Sequence, residues 1–411
     1  MATGGRGDGS RGPRILFGMS NYRQRLMACH GPDEVVGAAR RLNIVEIVTP
    51  RSRSRGRGCS SGSEVPAMIV LFSPSALAGK LKAAPALALT LLLAAGPGAE
   101  RGLAAEEAAG ALEAIVQVST RVPGDARSAA TLGNAREGTG VVIDDSGLVV
   151  TIGYLIMEAS EIEITGRDGA RVPAEMVAYD YESGFGLVRA ASALAVEPAR
   201  LGDSDGVVRM QPMLAVSSVD ELDAQGVYVV DRREFAGYWE YLLEEAIFTS
   251  PPLAQFGGAA LLDSEGRLIG VGSLRVADAG RQGPRALPGN MFVPINTLKP
   301  ILGDLLANGR RSDPPKPWLG ASFEEHRGRI FVTRVSPDGP AAAADLRPGD
   351  MVLGVAGQPV TGLADFYRTL WEQGDAGIEV PLDVLKGLEV ESTPVQSADR
   401  YSYLRLEPGT L

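Results

Sequence analysis

Histidine is nearly absent from this chain of 411 residues, which has only His30 and His326. The stretch between Ala105 and His326 therefore holds no imidazole, the side chain that most often serves as general base at neutral pH. Cysteine is equally scarce. Cys29 and Cys59 both lie near the N-terminus, so residues 105–411 can form no disulfide and offer no thiolate to a metal. Lysine is confined in that same stretch to Lys299, Lys316 and Lys386, which leaves little for a serine–lysine dyad. No cluster of histidine, cysteine or carboxylate has metal-ligand spacing, so neither a metal nor another cofactor is expected.

Positive charge is lacking where most of the chain lies. Residues 1–104 carry 14 Lys and Arg against 6 Asp and Glu, a net of +8, whereas residues 105–411 carry 26 against 44, a net of −18. So acidic a body repels nucleic acid and anionic membrane surfaces. What is plentiful is glycine, at 51 residues, about 12% against an ordinary value of about 7%. It is spread as turn punctuation rather than as a low-complexity tract. The length favours two domains, and an apolar content of 45% is enough to build their cores.

Residues 1–67 are rich in Arg, Gly and Ser and show no sustained apolar period. They read as an unstructured extension or a start assigned too early, with the basic run at residues 51–57 as a nucleic-acid patch the alternative. Residues 68–104 read as a secretory signal. Lys80 and Lys82 precede the apolar run at residues 83–96 (AAPALALTLLLAAG), and small residues follow up to Ala104. That run is shorter than the roughly 20 residues a membrane span needs, with a retained anchor the alternative reading. The mature protein is expected to begin near Ala105, in a periplasm or an equivalent exported space.

Beyond a short helical lead-in at residues 105–118, short strands follow one another. They are expected at 140–143, 148–152, 161–165, 175–178, 187–190, 213–217, 227–230, 259–262 and 268–271. Each is β-branched or leucine-rich and bounded by Gly, Asp, Ser or Pro, which indicates a barrel or sandwich. Residues 294–308 read as one helix, and residues 309–317 (GRRSDPPKP) as a stiff polar linker. The remainder, residues 318–411, reads as a small α/β domain. Its strands are expected near 319–323, 330–335, 351–355, 378–385 and 403–406, and its main helix at 363–373.

Four motifs in order give this chain a family likeness. They are residues 138–147 (GTGVVIDDSG), 201–205 (LGDSD), 263–270 (DSEGRLIG) and 346–360 (LRPGDMVLGVAGQPV). The chain resembles the HtrA/DegP serine proteases over roughly residues 112–390. The resemblance implies a mainly β protein: a chymotrypsin-like double β-barrel over residues 105–308, then a PDZ domain. It also implies a Ser-His-Asp triad, in which a carboxylate orients the imidazole that deprotonates the serine. Here the segments that match depart from that pattern. Tyr154 stands in the histidine's place (TIGYL, 151–155), Gly184 in the aspartate's (DYESGFGLV, 180–188) and Phe256 in the serine's (AQFGGAA, 254–260). A phenol with a pKa near 10 is a poor base at neutral pH, and phenylalanine has no nucleophile.

Other chemistries fare no better on sequence. Lys299, Lys316 and Lys386 map away from the barrel cleft, and Ser250 or Thr249 would be unactivated hydroxyls. Asp180 and Glu182 read as solvated loop carboxylates. The glycines at 138 and 140 form no phosphate loop, because a strand rather than a helix follows them. Phe256 is expected to plug the former cleft, with an apolar contact for a bound peptide the alternative.

The PDZ pattern is better kept. The resemblance implies that Trp318, Leu319, Gly320 and Ala321 form the loop whose backbone N–H groups receive a peptide's terminal carboxylate, the next strand pairing with the peptide. The helix carrying Leu363, Phe366, Tyr367 and Leu370 would form the other groove wall and an apolar pocket, or those residues simply fill the core. His326 reads as a solvated hairpin residue. The trimer of the family rests on aromatic residues ahead of the first barrel strand, and residues 105–136 contain none.

Three functions stay open on these grounds. The first is an exported pseudoprotease that binds peptide or protein C-termini, and the second an endopeptidase with a non-standard site. The third is a holdase that grips unfolded exported proteins through residues 235–243 (FAGYWEYLL).

Overall fold

A computed structural model describes residues 110–219, 221–281 and 286–406. The expected extension at 1–67 and the signal segment at 68–104 lie outside the described residues. Strands β1 (Ile115–Arg121), β2 (Ala135–Val142), β3 (Leu148–Ile152), β4 (Glu161–Thr165), β5 (Arg171–Tyr179) and β6 (Phe185–Ala190) close into a barrel in the order β1-β2-β3-β6-β5-β4. Between them lie two single-turn helices, α1 (Ala129–Leu132) and α2 (Gly153–Ile156). The alternation in β1, with Val116 and Val118 buried and Gln117 and Ser119 half-buried, is what a closed sheet requires. In the centre of the barrel β3 is buried along its whole length.

A second closed barrel follows, in the order β10-β11-β12-β9-β8-β7. Its strands are β7 (Pro212–Val219), β8 (Glu221–Gly237), β9 (Tyr241–Ser250), β10 (Ala260–Leu262), β11 (Leu268–Gly280) and β12 (Leu287–Pro294). Met213, Val227, Ile247, Leu261 and Phe292 fill its interior. Leu214, Val216, Phe248 and Val271 point the other way and join the first barrel's cluster, so the two barrels share one apolar seam. Each fully buried side chain of this size contributes about 1.5–3 kcal/mol.

Strand β8 outruns its barrel. With β9 it forms a hairpin, registered Phe235 to Leu243 and Gly237 to Tyr241, whose tip is Tyr238, Trp239 and Glu240. The expected single helix at 294–308 is instead a 3₁₀ turn at Ile295–Thr297 and a short helix α3 (Leu302–Asn308). Pro300 accounts for the break, since it lacks an N–H and restricts the residue before it.

The C-terminal domain is a sheet in the order β13-β14-β15-β17-β18, with the two-residue β16 (Gln358–Pro359) paired to β15. The other strands are β13 (Ala321–His326), β14 (Arg329–Val335), β15 (Met351–Val355), β17 (Glu379–Lys386) and β18 (Glu389–Gln396). A single-turn helix α4 (Pro340–Ala343) and the main helix α5 (Leu363–Trp371) complete it. Leu363, Phe366, Tyr367 and Leu370 recur at helical spacing and are all buried, which gives α5 its core-facing side. A strand at 403–406 does not form. Asp399 accepts a hydrogen bond from the Tyr401 amide and caps a turn, α6 (Arg400–Tyr403), while Tyr401, Leu404 and Leu406 pack on the first barrel's cluster. The closing strand is β18, whose mostly exposed pattern and internal Pro394 suit a sheet edge.

The linker is strapped down rather than free. Arg311 makes two 2.8 Å hydrogen bonds to Asp180, and the Lys316 ammonium lies 2.7 Å from Glu182. These ties fix the C-terminal domain against the first barrel.

Candidate functional site

The two barrels and the C-terminal domain enclose a cleft of about 440 Å³, and Tyr154, Gly184 and Phe256 all line it. The backbone explains how three distant positions meet. Helix α2 starts where β3 ends, and the Gly153 amide donates to the Gly184 carbonyl at 2.7 Å. The Phe256 loop is held by Thr139 N–H to Gly257 O (2.9 Å) and Gly258 N–H to Gly272 O (2.8 Å). Gly258 has φ +75°, and a Cβ there would stand 1.9 Å from the Thr139 carbonyl oxygen. The turn is therefore a glycine-only position.

The side chains on this frame are engaged as follows. The Tyr154 hydroxyl donates to the Ser273 carbonyl at 3.1 Å, and burial holds its phenol above the usual range. It is a neutral donor already committed at physiological pH. At Gly184 φ is +84°, and an added Cβ would stand 3.1 Å from the Tyr241 hydroxyl. That hydroxyl donates to Ser183 O at 2.6 Å, so Tyr241 lies against the position a side chain at 184 would take. Phe256 is half-buried on the cleft wall. It lines the cleft without filling it.

Neighbouring candidates are engaged elsewhere. Asp180, expected to be solvated, is fully buried and takes both Arg311 bonds and those of the Ser183 amide and hydroxyl. Ser250 donates to Pro288 O, and the buried Thr249 hydroxyl has no polar partner. Lys299 bonds Gly202 O, Lys316 sits over the Trp371 ring at 4.5 Å, and Lys386 faces Glu391. Among the described residues no three of His, Cys, Asp and Glu gather as a metal site. His326 ends β13 and is exposed.

In the C-terminal domain the N–H groups of Leu319, Gly320 and Ala321 do converge on a carboxylate. It belongs to the chain's own Glu240. Leu319 N–H reaches Oε2 at 2.8 Å, and Gly320 and Ala321 reach Oε1 at 2.8 and 3.1 Å. Glu240 is 4% exposed. Burial pushes its carboxyl up to about 7, against the pull of the three amides and the Arg400 charge. The hairpin thus docks between β13 and α5. Tyr367 donates to Gly237 O at 2.8 Å and accepts from the Glu240 amide at 3.2 Å. Trp318 stays out of this contact and packs on Tyr403 at 4.6 Å. Leu363, Phe366 and Leu370 lie in the domain's core.

The sequence reading missed Glu240 altogether. Its signal was there: one carboxylate inside an aromatic run, in a segment otherwise read as apolar grip or packing. Residues 235–243 are packed rather than exposed. Ala236 and Leu242 rest on the C-terminal core, Phe235 and Trp239 on the barrel cluster, and Tyr238 alone of the large residues is half exposed, at 49%.

Residues 138–271 match the trypsin-like peptidase domain family, and residues 317–396 match the PDZ domain family. Among named relatives, the chain is similar to Protease Do-like 1, chloroplastic, of Arabidopsis thaliana. The two are 28% identical over 283 residues, 63% of this chain and 62% of that one. Serine protease Do-like HtrA of Lactobacillus helveticus is 24% identical, over 57% of this chain and 62% of its own. Periplasmic serine endoprotease DegP of Escherichia coli K12 is 24% identical, over 55% of this chain and 50% of its own. The chain thus spans about half to three fifths of the length of these relatives. The chain carries a trypsin-like domain followed by a PDZ domain, and it is similar to relatives named Do-like, HtrA and DegP.

Proposed function

We propose that this protein is an exported, HtrA-like binding protein that does not cut peptide bonds and acts through its PDZ domain on peptide or protein carboxyl groups. The observation that carries the reading is the content of the cleft. Where the resemblance puts base, orienting acid and nucleophile, the chain has a committed phenol, a glycine at positive φ and a phenylalanine. Acyl transfer needs a nucleophile within hydrogen-bond reach of a base. Tyr154, Gly184 and Phe256 cannot supply that pair. The PDZ loop by contrast still presents three converging amides, a geometry suited to carboxylates. Export rests on the sequence reading of residues 68–104 and on the periplasmic name of the DegP relative.

The names of the relatives favour a second reading, an endopeptidase with a non-standard site. Fluorophosphonate labelling and casein digestion by the purified protein separate the two. The expected result is no labelling and no turnover. Labelling that persists after contaminating proteases have been removed would sink the pseudoprotease.

A further inference from the structure

We infer that the hairpin tip, residues 237–241, is an internal ligand of the PDZ groove, and that Glu240 must withdraw before an external carboxylate can bind the loop of Leu319, Gly320 and Ala321. The inference rests on the peptide-binding reading above and adds to it how the site is controlled.

The tip copies the contacts of a bound peptide on both groove walls. A carboxylate in the loop is the first, made by Glu240 through three consecutive amides. The second is a strand-type bond to the edge strand β13: the Phe323 amide donates to the Tyr238 carbonyl at 2.8 Å. An added peptide strand would use that same amide. The third is on α5, the opposite wall, where Tyr367 bonds Gly237 O and the Glu240 amide. A tip that takes all three leaves no room for a second chain. The groove is closed from within.

The tip also has the marks of an element held by its contacts rather than by its own preference. Glu240 sits at φ +56°, where a residue with a Cβ is strained and persists only when its surroundings over-determine it. Its carboxylate is removed from water, a cost that only the three amides and Arg400 offset. An external carboxylate would take over the amides and let Glu240 return to solvent. Competition of this kind is balanced by construction.

Withdrawal would reach the old active site. Trp239 stacks on Tyr241 at 5.2 Å, and Tyr241 bonds the Ser183 carbonyl beside Gly184. Both rings wall the 440 Å³ cleft.

The test uses the full chain with Glu240→Ala, Glu240→Gln and Tyr367→Phe. Three labelled peptide pools serve as probes. One has apolar C-terminal residues and free carboxylates, one is amidated with an internal Glu, and one is amidated without acidic residues. If the groove is open in a tenth or less of the wild-type population, Glu240→Ala binds the free-carboxylate pool about tenfold tighter or more. Glu240→Gln and Tyr367→Phe fall between the two. The amidated Glu pool tells whether an acidic side chain serves as well as a chain terminus, and the third pool binds no form. Amide exchange at Leu319, Gly320 and Ala321 rises in Glu240→Ala and falls again on adding the first pool. Equal affinity of wild type and all three variants overturns the internal ligand and leaves the binding reading standing. No binding by any form overturns both. Tyr367→Phe leaves the carboxylate untouched, so it decides the matter even where a Glu240 variant fails to fold.

Discussion

The barrel cleft and the PDZ loop are two sites that the resemblance marks for chemistry, and they have fared differently. In the cleft the work would be done by side chains, and on the proposed reading Tyr154, Gly184 and Phe256 supply no base, acid or nucleophile. In the loop the work is done by backbone amides, which no substitution at Leu319 or Ala321 other than proline removes, and they still converge. A site built from backbone outlasts changes in side chains, because its geometry is fixed by the turn and the strand that follow. What changes there is access. The loop has acquired an occupant from the chain itself, on a strand long enough to leave its barrel.

The largest effect that breaks the comparison lies under the cleft, at Asp180. Asp180→Ala strands the half-buried Arg311 and leaves the Ser183 amide unpaired. Removing one partner of a buried pair costs about 3–5 kcal/mol, so the thermal midpoint should fall by about 5–8 degrees if the transition is two-state. Peptide binding by the remaining folded fraction should survive. A loss of less than about 1 kcal/mol would place the pair among exposed bridges instead.

Next in size is a pH effect at the loop. The docked Glu240 carboxyl titrates at about 7, above the 4.5 of a free side chain. The docked tip therefore binds more protons, and its docking is strongest below pH 4.5. That advantage is lost as pH rises to 7 and stays constant above. A gap of this width is worth about 3 kcal/mol. Arg400 and the Tyr367 hydroxyl are the other groups that face it. Burial holds the Tyr367 phenol well above its usual range, so it stays neutral here. Peptides with free C-termini should bind wild type more tightly at pH 8 than at pH 5, and Glu240→Ala should show no such trend. Tighter wild-type binding at pH 5 would reverse the assignment.

A third prediction returns to the cleft. Gly184→Asp meets both a positive φ and the Tyr241 hydroxyl, and a strained residue of this kind costs about 1–3 kcal/mol. Combined with Tyr154→His and Phe256→Ser it should still yield no casein hydrolysis, because Tyr241 keeps the aspartate from the place where it would orient the imidazole. Turnover by that triple variant would mean the hairpin yields more readily than its contacts imply.

How much of this the sequence allowed differs between the same two regions. Strands β3 and β4 were legible to the residue, since each is a short apolar or alternating run closed by turn residues. Motif register puts Tyr154, Gly184 and Phe256 at one site, and all three line one cleft. The helix α3 was overextended, where Pro300 outweighs the apolar period around it, and β18 was missed because only Thr393 and Val395 face inward. The occupant of the loop was out of reach for a different reason. Glu240 and Gly320 are 80 positions apart, and periodicity carries no information about which long hairpin crosses to which domain. Residues 235–243 read on sequence as a holdase's grip, but an aromatic run reads the same whether it grips a client, packs, or carries a ligand.

The smallest effect sharpens where the hairpin's hold resides. Arg368 on α5 bridges Glu234 on β8 and Glu244 on β9, astride the hairpin's stem. All three side chains are well exposed, so water and salt screen them, and the network contributes about 0.2–1 kcal/mol. Arg368→Ala should therefore raise peptide affinity no more than about fivefold, and 0.5 M salt should erase most of the difference between it and wild type. Glu240→Ala, acting on a desolvated contact, should keep its advantage in the same salt. If Arg368→Ala matched Glu240→Ala, the hairpin would be held by its stem, and the carboxylate in the loop would be a consequence of docking rather than its cause.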